Sequence, residues 1–240
     1  MSDFKIGIDY GGTKIEGILI DSNGKEILRK RSTYEKNYES GLNTVKSLVS
    51  EFDKFTDQQN SVGVCIPGFS SYETGLVNNA NCIWINDKPF HKDLEKSLNR
   101  EIRIMNDANC FALSEAIDGS GANYKSVWGV IIGSGFGGSF VYEKKVIEGV
   151  NQIAGDWGHQ PLPYPTEEEI NSNVQCNVGN CKRPLCAEQF ISGIGFTKLF
   201  NEKYGTSLRT REIVALEANG DERAKKEFEL YEDRFARLIS

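Results

Sequence analysis

Short apolar runs open the chain and then give way to a helical period. Segments 4–8, 15–20 and 26–32 read as three strands. Asn23-Gly24 reads as a hairpin turn between the last two, because both residues tolerate positive φ. Leu42, Val45, Leu48, Val49 and Phe52 recur at helical spacing and predict a helix over 40–55. Residues 61–66 form another strand, stopped by Pro67-Gly68. A strand over 102–105 runs into a helix over 108–117, leaving Asn106-Asp107 at the junction, and a further strand pair is predicted over 127–132 and 138–142. Residues 151–165 are irregular and 167–177 polar. Helices resume near Ala187 and over 196–204, 211–218 and 222–239. The last places Ala224, Phe228, Tyr231, Phe235 and Leu238 on one face, with Asp221 as N-cap.

Strands alternating with helices imply an α/β fold. We place the boundary between two lobes in the 107–121 region, as 1–118 and 119–240. The final helix reaches Ser240 with no stop signal, so the chain is expected to be cut short.

Two glycine-rich segments each follow a predicted strand: Asp9-Tyr10-Gly11-Gly12-Thr13-Lys14 and Gly133-Ser134-Gly135-Phe136-Gly137-Gly138. Successive glycines let a backbone turn tightly and approach a ligand, and their N–H groups can form a concavity suited to a phosphate chain. One such loop is weak evidence, since hairpins also use glycine pairs. Two strand-to-loop units suggest a nucleotide held between two similar halves, hence a phosphotransferase.

Composition narrows the partners. In 240 residues, 39% are hydrophobic and 26% charged, the balance of an ordinary globular protein. A net charge of −6 argues against nucleic-acid or anionic-membrane binding. No apolar stretch reaches membrane-spanning length, and the start shows no signal-peptide pattern, so a cytoplasmic location is expected. Cys65, Cys82 and Cys110 stand alone, whereas Cys176, Cys181 and Cys186 cluster within eleven residues, which in a cytosolic chain favours metal over disulfide.

Asp107 could orient a sugar hydroxyl and accept its proton, a role suited to the carboxyl end of a strand in an α/β sheet. The alternative is an N-cap for the helix starting at Ala108. Asp9 could hold a water of Mg²⁺, with Thr13 offering a hydroxyl and Lys14 a charge; the alternative is a plain turn with a solvated lysine. His159 with Cys176, Cys181 and Cys186 supplies one nitrogen and three sulfurs, a set suited to tetrahedral structural zinc, against three loop thiols and a surface histidine. His91 reads as ordinary surface.

These residues together resemble the bacterial ROK sugar kinases, which share the actin/hexokinase-like (ribonuclease H-like) ATPase fold of two lobes with a cleft. The resemblance runs nearly the whole chain: Ile8 to Lys14, Ile66-Pro67-Gly68, Asn106-Asp107-Ala108-Asn109-Cys110, both glycine segments, Asp156-Trp157-Gly158-His159, the cysteine cluster with Glu188, and Ile191-Ser192-Gly193. Residues 79–90 and 114–119 look like the fructokinases of the mannokinase type, with N-acetylglucosamine kinases as near neighbours. The resemblance implies ATP-dependent phosphorylation of a hexose, most similar to fructose to fructose 6-phosphate, with N-acetylglucosamine, glucose or mannose as alternatives. It makes Asp107 the base, Asn106 a sugar contact, and Gly68 and Asn81 the lining of the sugar pocket. His159 would ligate zinc and touch the sugar, and Glu188 would bind another hydroxyl. Gly11, Gly12, Thr13 and the segment from Gly133 to Gly138 would hold the ATP phosphates, with Mg²⁺ near Asp9.

Three departures from the family pattern stand out. Asp156 replaces a glutamate in the sugar motif. The first family cysteine falls at Gly179, so Cys176 would have to be displaced to serve. A further glycine-rich segment that cradles adenosine in the family is not present, so weak ATP binding is expected of this chain. Pairing into a homodimer is common in the family. Sugar-responsive repressors and a sugar-binding protein without activity are the other readings; repressors carry a helix-turn-helix ahead of the first strand.

Overall fold

Five strands form a mixed sheet in the first half of the chain, and the order of those strands decides where its chemistry gathers. The computed structural model describes residues 4–155, 157–176 and 181–240. Contacts divide the chain into two compact units, Met1–Phe111 with Gly149–Ile153, and Ala112–Glu148 with Ala154–Ser240.

In the first unit the elements are β1 (Phe4–Tyr10), β2 (Lys14–Asp21), β3 (Glu26–Thr33), α1 (Tyr38–Thr56) and β4 (Ser61–Ile66). They are followed by a small hairpin of β5 (Phe69–Ser70) and β6 (Val77–Asn78), then α2 (Phe90–Leu98), β7 (Ile102–Asn106) and the start of α3 (Asp107–Ile117). The sheet order is β3-β2-β1-β4-β7, with β1, β4 and β7 parallel and the first hairpin antiparallel. Alternation along β1 buries Ile6, Ile8 and Tyr10 and turns Asp9 to the other face. The apolar stripe of α1, from Leu42 to Phe52, covers that buried face. Asn37 starts α1 two residues earlier than expected, because its side chain accepts the Ser40 N–H at 2.8 Å.

The turn at Asn23-Gly24 differs from the expected pair of positive φ values. Only Gly24 takes one (+80°), and Asp21 Oδ1 instead accepts from the N–H groups of Asn23 and Lys25. Helix α2 was not predicted, although Phe90, Leu94 and Leu98 are buried at helical spacing. His91 sits on it half-buried, its Nε2 3.1 Å from the carbonyl oxygen of Ile102, which corrects the surface reading.

Gly41 lies inside α1 where a Cβ would fall far inside contact distance of Tyr10 Oη. Helix propensity alone would favour alanine by about 1 kcal/mol. Overpacking against a buried ring should reverse the sign, so Gly41→Ala is expected to lower stability by about 1–3 kcal/mol in urea unfolding. A stabilised variant would refute that packing.

The second unit holds the rest of α3, then β8 (Ser126–Ile132), β9 (Phe136–Tyr142) and β10 (Lys145–Val146) in the order β10-β9-β8. Ala112 and Ala116 of α3 pack against Val141 on this sheet. Helices α4 (Glu167–Asn171), α5 (Glu188–Ile191), α6 (Gly193–Tyr204), α7 (Thr210–Ala218) and α8 (Glu222–Ile239) follow. Asp221 caps α8 as expected, accepting from the N–H groups of Arg223 and Ala224. Tyr231, Phe235 and Leu238 of α8 pack with Phe136, Trp157 and Phe190. The polar stretch after Pro165 contains a short helix. Thr166 and Glu169 form a reciprocal capping box that starts α4, and Glu169 is buried. No helix among the described residues is long and apolar enough to cross a membrane.

Candidate functional site

In the first unit, parallel pairing brings the carboxyl ends of β1, β4 and β7 side by side. The register sets Asp9 against Cys65, Cys65 against Met105, and Ile66 against Asn106. Ligands in open α/β sheets collect outside such ends.

Gly11 and Gly12 form the short link from β1 to β2, closed by the Gly11 N–H donating to the Lys14 carbonyl at 3.1 Å. Neither glycine takes positive φ, so their backbone freedom is not what the turn uses. Close approach is the reason at Gly11, where a Cβ would sit 3.0 Å from the Lys14 oxygen; at Gly12 a Cβ would meet Cys82 Sγ only at an ordinary contact distance of 3.5 Å. Tyr34, which the sequence reading missed, donates its hydroxyl to the Gly11 carbonyl at 2.8 Å and so pins the link. Thr13 and Lys14 are exposed beside it.

Gly68 has φ +90°, and a Cβ there would strike Asn78 and the Ala80 backbone, so no other residue fits. The side chain of Asn106 braces this turn. Its Nδ2 donates to the Gly68 carbonyl at 3.0 Å, while its Oδ1 accepts from the N–H groups of Ala108 (2.9 Å) and Asn109 (3.2 Å). Asn106 therefore caps α3, the task the sequence reading had offered to Asp107. Asn81 is exposed in the loop after β6, which Asn86 holds by bonding both backbone atoms of Ala80.

The Asp107 carboxylate accepts from the adjacent Ala108 N–H at 2.8 Å, a donor it shares with Asn106 Oδ1. Its carboxylate reaches solvent yet is crowded by protein, and that desolvation raises its pKa above the usual aspartate value; repulsion from Asp9 adds to the rise. The Cys65 thiol donates to Asp9 Oδ1 at 3.4 Å.

In the second unit the glycine segment is shorter as a loop than expected. β9 begins at Phe136, so only Gly133, Ser134 and Gly135 connect the strands, closed by the Gly133 N–H on the Gly135 carbonyl at 2.9 Å. The first residue of α6 holds the loop, its Gly193 N–H donating to the Gly133 carbonyl at 2.8 Å. Added Cβ atoms at Gly133 and Gly137 would meet nothing within 4 Å, so these positions keep open space over the backbone. Gly138 serves packing instead: a Cβ there would collide with the Gly129 carbonyl and lie 2.7 Å from Trp157 Nε1.

His159 follows Gly158, whose backbone passes so close under the Phe136 carbonyl that a Cβ there would collide with it. Its Nδ1 lies 3.7 Å from Cys176 Sγ and 3.6 Å from Cys186 Sγ, while Nε2 is 3.8 Å from Glu188 Oε2. Glu188, the first residue of α5, is buried, and the Phe136 N–H donates to its Oε2 at 3.4 Å. The donor atoms of His159, Cys176, Cys181 and Cys186 all lie within 4.8 Å of one another. Tetrahedral zinc with bonds of about 2.0–2.3 Å holds its donors roughly 3.3–3.8 Å apart; the two His159 distances fall in that range, and closure of the widest pair by about 1 Å would complete the set. The displaced Cys176 reaches the cluster because its N–H pairs with the Arg183 carbonyl, while Cys186 bridges to Pro161. Burial and the neighbouring thiols push the Cys186 thiol up, which disfavours the thiolate until a cation is present. Asp156 and Gly179 lie outside the described residues.

A profile of the ROK family matches residues 5–240. The chain is 38% identical over 232 residues to an N-acetyl-D-glucosamine kinase of Pasteurella multocida, covering 95% of this chain and 75% of that protein. It is 39% identical over 231 residues to an N-acetyl-D-glucosamine kinase of Citrobacter koseri, covering 96% and 76%. Among solved structures, the ROK hexokinase of Thermus thermophilus matches with a TM-score of 0.78 at 22% identity, over 93% of this chain and 72% of that one. The α/β architecture read from the strand–helix alternation is thus that of the ROK hexokinase structure, and the chain spans about three-quarters of the length of the two kinases.

Proposed function

Because the chain belongs to the ROK family, we propose that it transfers the γ-phosphoryl group of ATP to a primary hydroxyl of a hexose, N-acetyl-D-glucosamine. The observation that carries the reaction is the state of Asp107. Asn106 takes over the helix cap, which leaves a carboxylate of raised pKa at the strand ends beside Asp9. Such a group orients a hydroxyl and accepts its proton as phosphoryl transfer proceeds. The main-chain amides about Gly11 and Gly12, and those of the Gly133 loop, bind the phosphates. The open space at Gly133 and Gly137 supports this role. Asp9 is suited to hold, through water, the Mg²⁺ that neutralises phosphate charge.

For the substrate we take the alternative that the sequence reading kept, N-acetylglucosamine, over its first choice. Residues 79–90 and 114–119 pointed to fructose, but the relatives of 38–39% identity are N-acetyl-D-glucosamine kinases. Gly68, Asn81, His159 and Glu188 are the proposed sugar contacts; Asn106 acts by holding the Gly68 turn. The test is ADP release over N-acetylglucosamine, glucose, mannose and fructose. The highest kcat/KM is expected for N-acetylglucosamine. A preference for fructose would overturn the substrate, and turnover with none of the sugars would overturn the activity.

His159, Cys176, Cys181 and Cys186 are proposed to hold structural zinc, tying Cys176 and the 181–186 segment to the Trp157–His159 turn. Elemental analysis is expected to find about one zinc per chain, falling to a small fraction in Cys186→Ser, as a site losing one of its four ligands should. Wild-type protein purified free of metal, with full activity, would dispose of the site.

A further inference from the structure

Tyr34 lies just beyond the end of β3, half-buried beside two aromatic rings, Tyr10 at a centroid distance of 5.5 Å and Trp84 at 6.0 Å. Both neighbours are themselves held. Tyr10 is fully buried at the end of β1, and its hydroxyl accepts from Trp84 Nε1 at 3.1 Å. Trp84 belongs to a short turn, Ile83–Ile85, in a loop that Asn86 closes by bonding the Ala80 backbone. So placed, the Tyr34 hydroxyl donates to the Gly11 carbonyl at 2.8 Å. That carbonyl shares a trans peptide with the Gly12 N–H, and the two groups point in opposite directions across one rigid plane. Fixing the carbonyl therefore fixes where the N–H points. The Gly11 N–H is occupied by the Lys14 carbonyl, whereas the Gly12 N–H has no partner among the described residues. It is an open donor on a half-buried link at the carboxyl end of β1.

We infer that Tyr34 is a positioning residue for phosphoryl transfer, whose hydroxyl aims the Gly12 N–H at the phosphate chain of ATP. The role rests on the kinase activity proposed above and says how one amide of its phosphate site is set. An N–H donated to a phosphate oxygen forms a charge-assisted hydrogen bond, which is stronger than a neutral one and weakens steeply off its axis. A two-glycine link has no side chains to hold its peptide planes. Its restraints are the Gly11 N–H on the Lys14 carbonyl and the Tyr34 hydroxyl on the Gly11 carbonyl. Without the second, arriving phosphate would have to order the plane itself, at a cost in affinity. With it, the donor is set during folding. Tyr34 acts through this peptide and not by contact with a reacting atom.

Tyr34→Phe removes the hydroxyl and keeps the ring beside Tyr10 and Trp84. The variant is expected to melt about 2–4 °C below wild type, the cost of one hydrogen bond. Steady-state ADP release should show KM for ATP raised about tenfold, the low end of what a hydrogen bond to a charged group is worth. kcat and KM for N-acetylglucosamine should change less than about twofold, since the lost interaction binds substrate and transition state alike. Equilibrium titration reads the same contact without turnover. ATP and ADP should bind about tenfold more weakly to the variant, and adenosine, which offers no phosphate, equally to both proteins. Unchanged affinity for ATP would overturn the inference. So would a loss that extends to adenosine and the sugar, or a far larger drop in melting temperature, since either makes Tyr34 a packing residue only. If wild type binds ATP but phosphorylates no sugar, the proposed activity fails, and the comparison of ATP with adenosine still decides the role of Tyr34. Wild type that binds no ATP at all overturns both.

Discussion

Asp107→Asn is expected to lower kcat by on the order of 10²–10⁴-fold while leaving the fold intact, because the amide keeps the shape of the side chain but accepts no proton. Wild-type kcat/KM should fall on the acid side as Asp107 is protonated, and the raised pKa puts that limb above the ordinary aspartate range. Stability follows the opposite sense. A carboxyl whose folded pKa is raised contributes stability below its unfolded value of about 3.8 and loses it as pH rises through the folded one. Near neutral pH the wild type therefore carries a crowded ionised group that the asparagine lacks, and the variant should melt at the same temperature or higher. Steady-state ADP release and thermal melting together test this. Turnover within a few-fold of wild type would remove Asp107 from the chemistry, whatever the melting temperature.

Glu169→Ala should cost about 3–5 kcal/mol of stability, the range for breaking a buried ion pair from one side. Glu169 Oε1 accepts from Arg234 Nε and Arg237 Nη2, both at 2.8 Å, and Oε2 accepts from the Thr166 N–H at 2.9 Å. Removing it strands two half-buried guanidinium groups of α8 and uncaps α4. Burial pushes its carboxyl up more than any single partner pulls it down, but Arg237, Arg234 and the Thr166 amide together outweigh burial and hold it at about 2. Since this pKa is depressed, the contribution is complete above the ordinary glutamate value of 4.5 and disappears as pH falls toward about 2. Urea unfolding at neutral pH and near pH 3 should show the difference between variant and wild type shrinking in acid. A loss below about 1 kcal/mol at neutral pH, the scale of an exposed pair, would show that the network is solvated.

Much of the fold was legible because its signals are local. The alternation in β1, the stripe of α1 and the Asp221 cap each depend on residues within one or two turns of each other. The Thr166-to-Glu169 spacing was an equally local signal that went unread. Of the candidate site, Asp9, Asp107 and the glycine links could be found as strand-end residues, since strand ends show in the sequence.

What each group does there was decided only by the tertiary structure. Asn106 and Asp107 are neighbours with the same capping chemistry, and the Gly68 turn, 38 residues away, is what engages Asn106 and releases Asp107. Gly138 resembles a phosphate-loop glycine until Trp157 is packed against it. Cys176 has the wrong interval for its role, yet pairing with Arg183 brings it to His159. Amino-acid order alone determined the elements and the kinds of chemistry available. Sheet order and long-range packing assigned the roles, because a hydrogen bond or a steric limit between distant residues exists only once the backbone has brought them within a few ångströms.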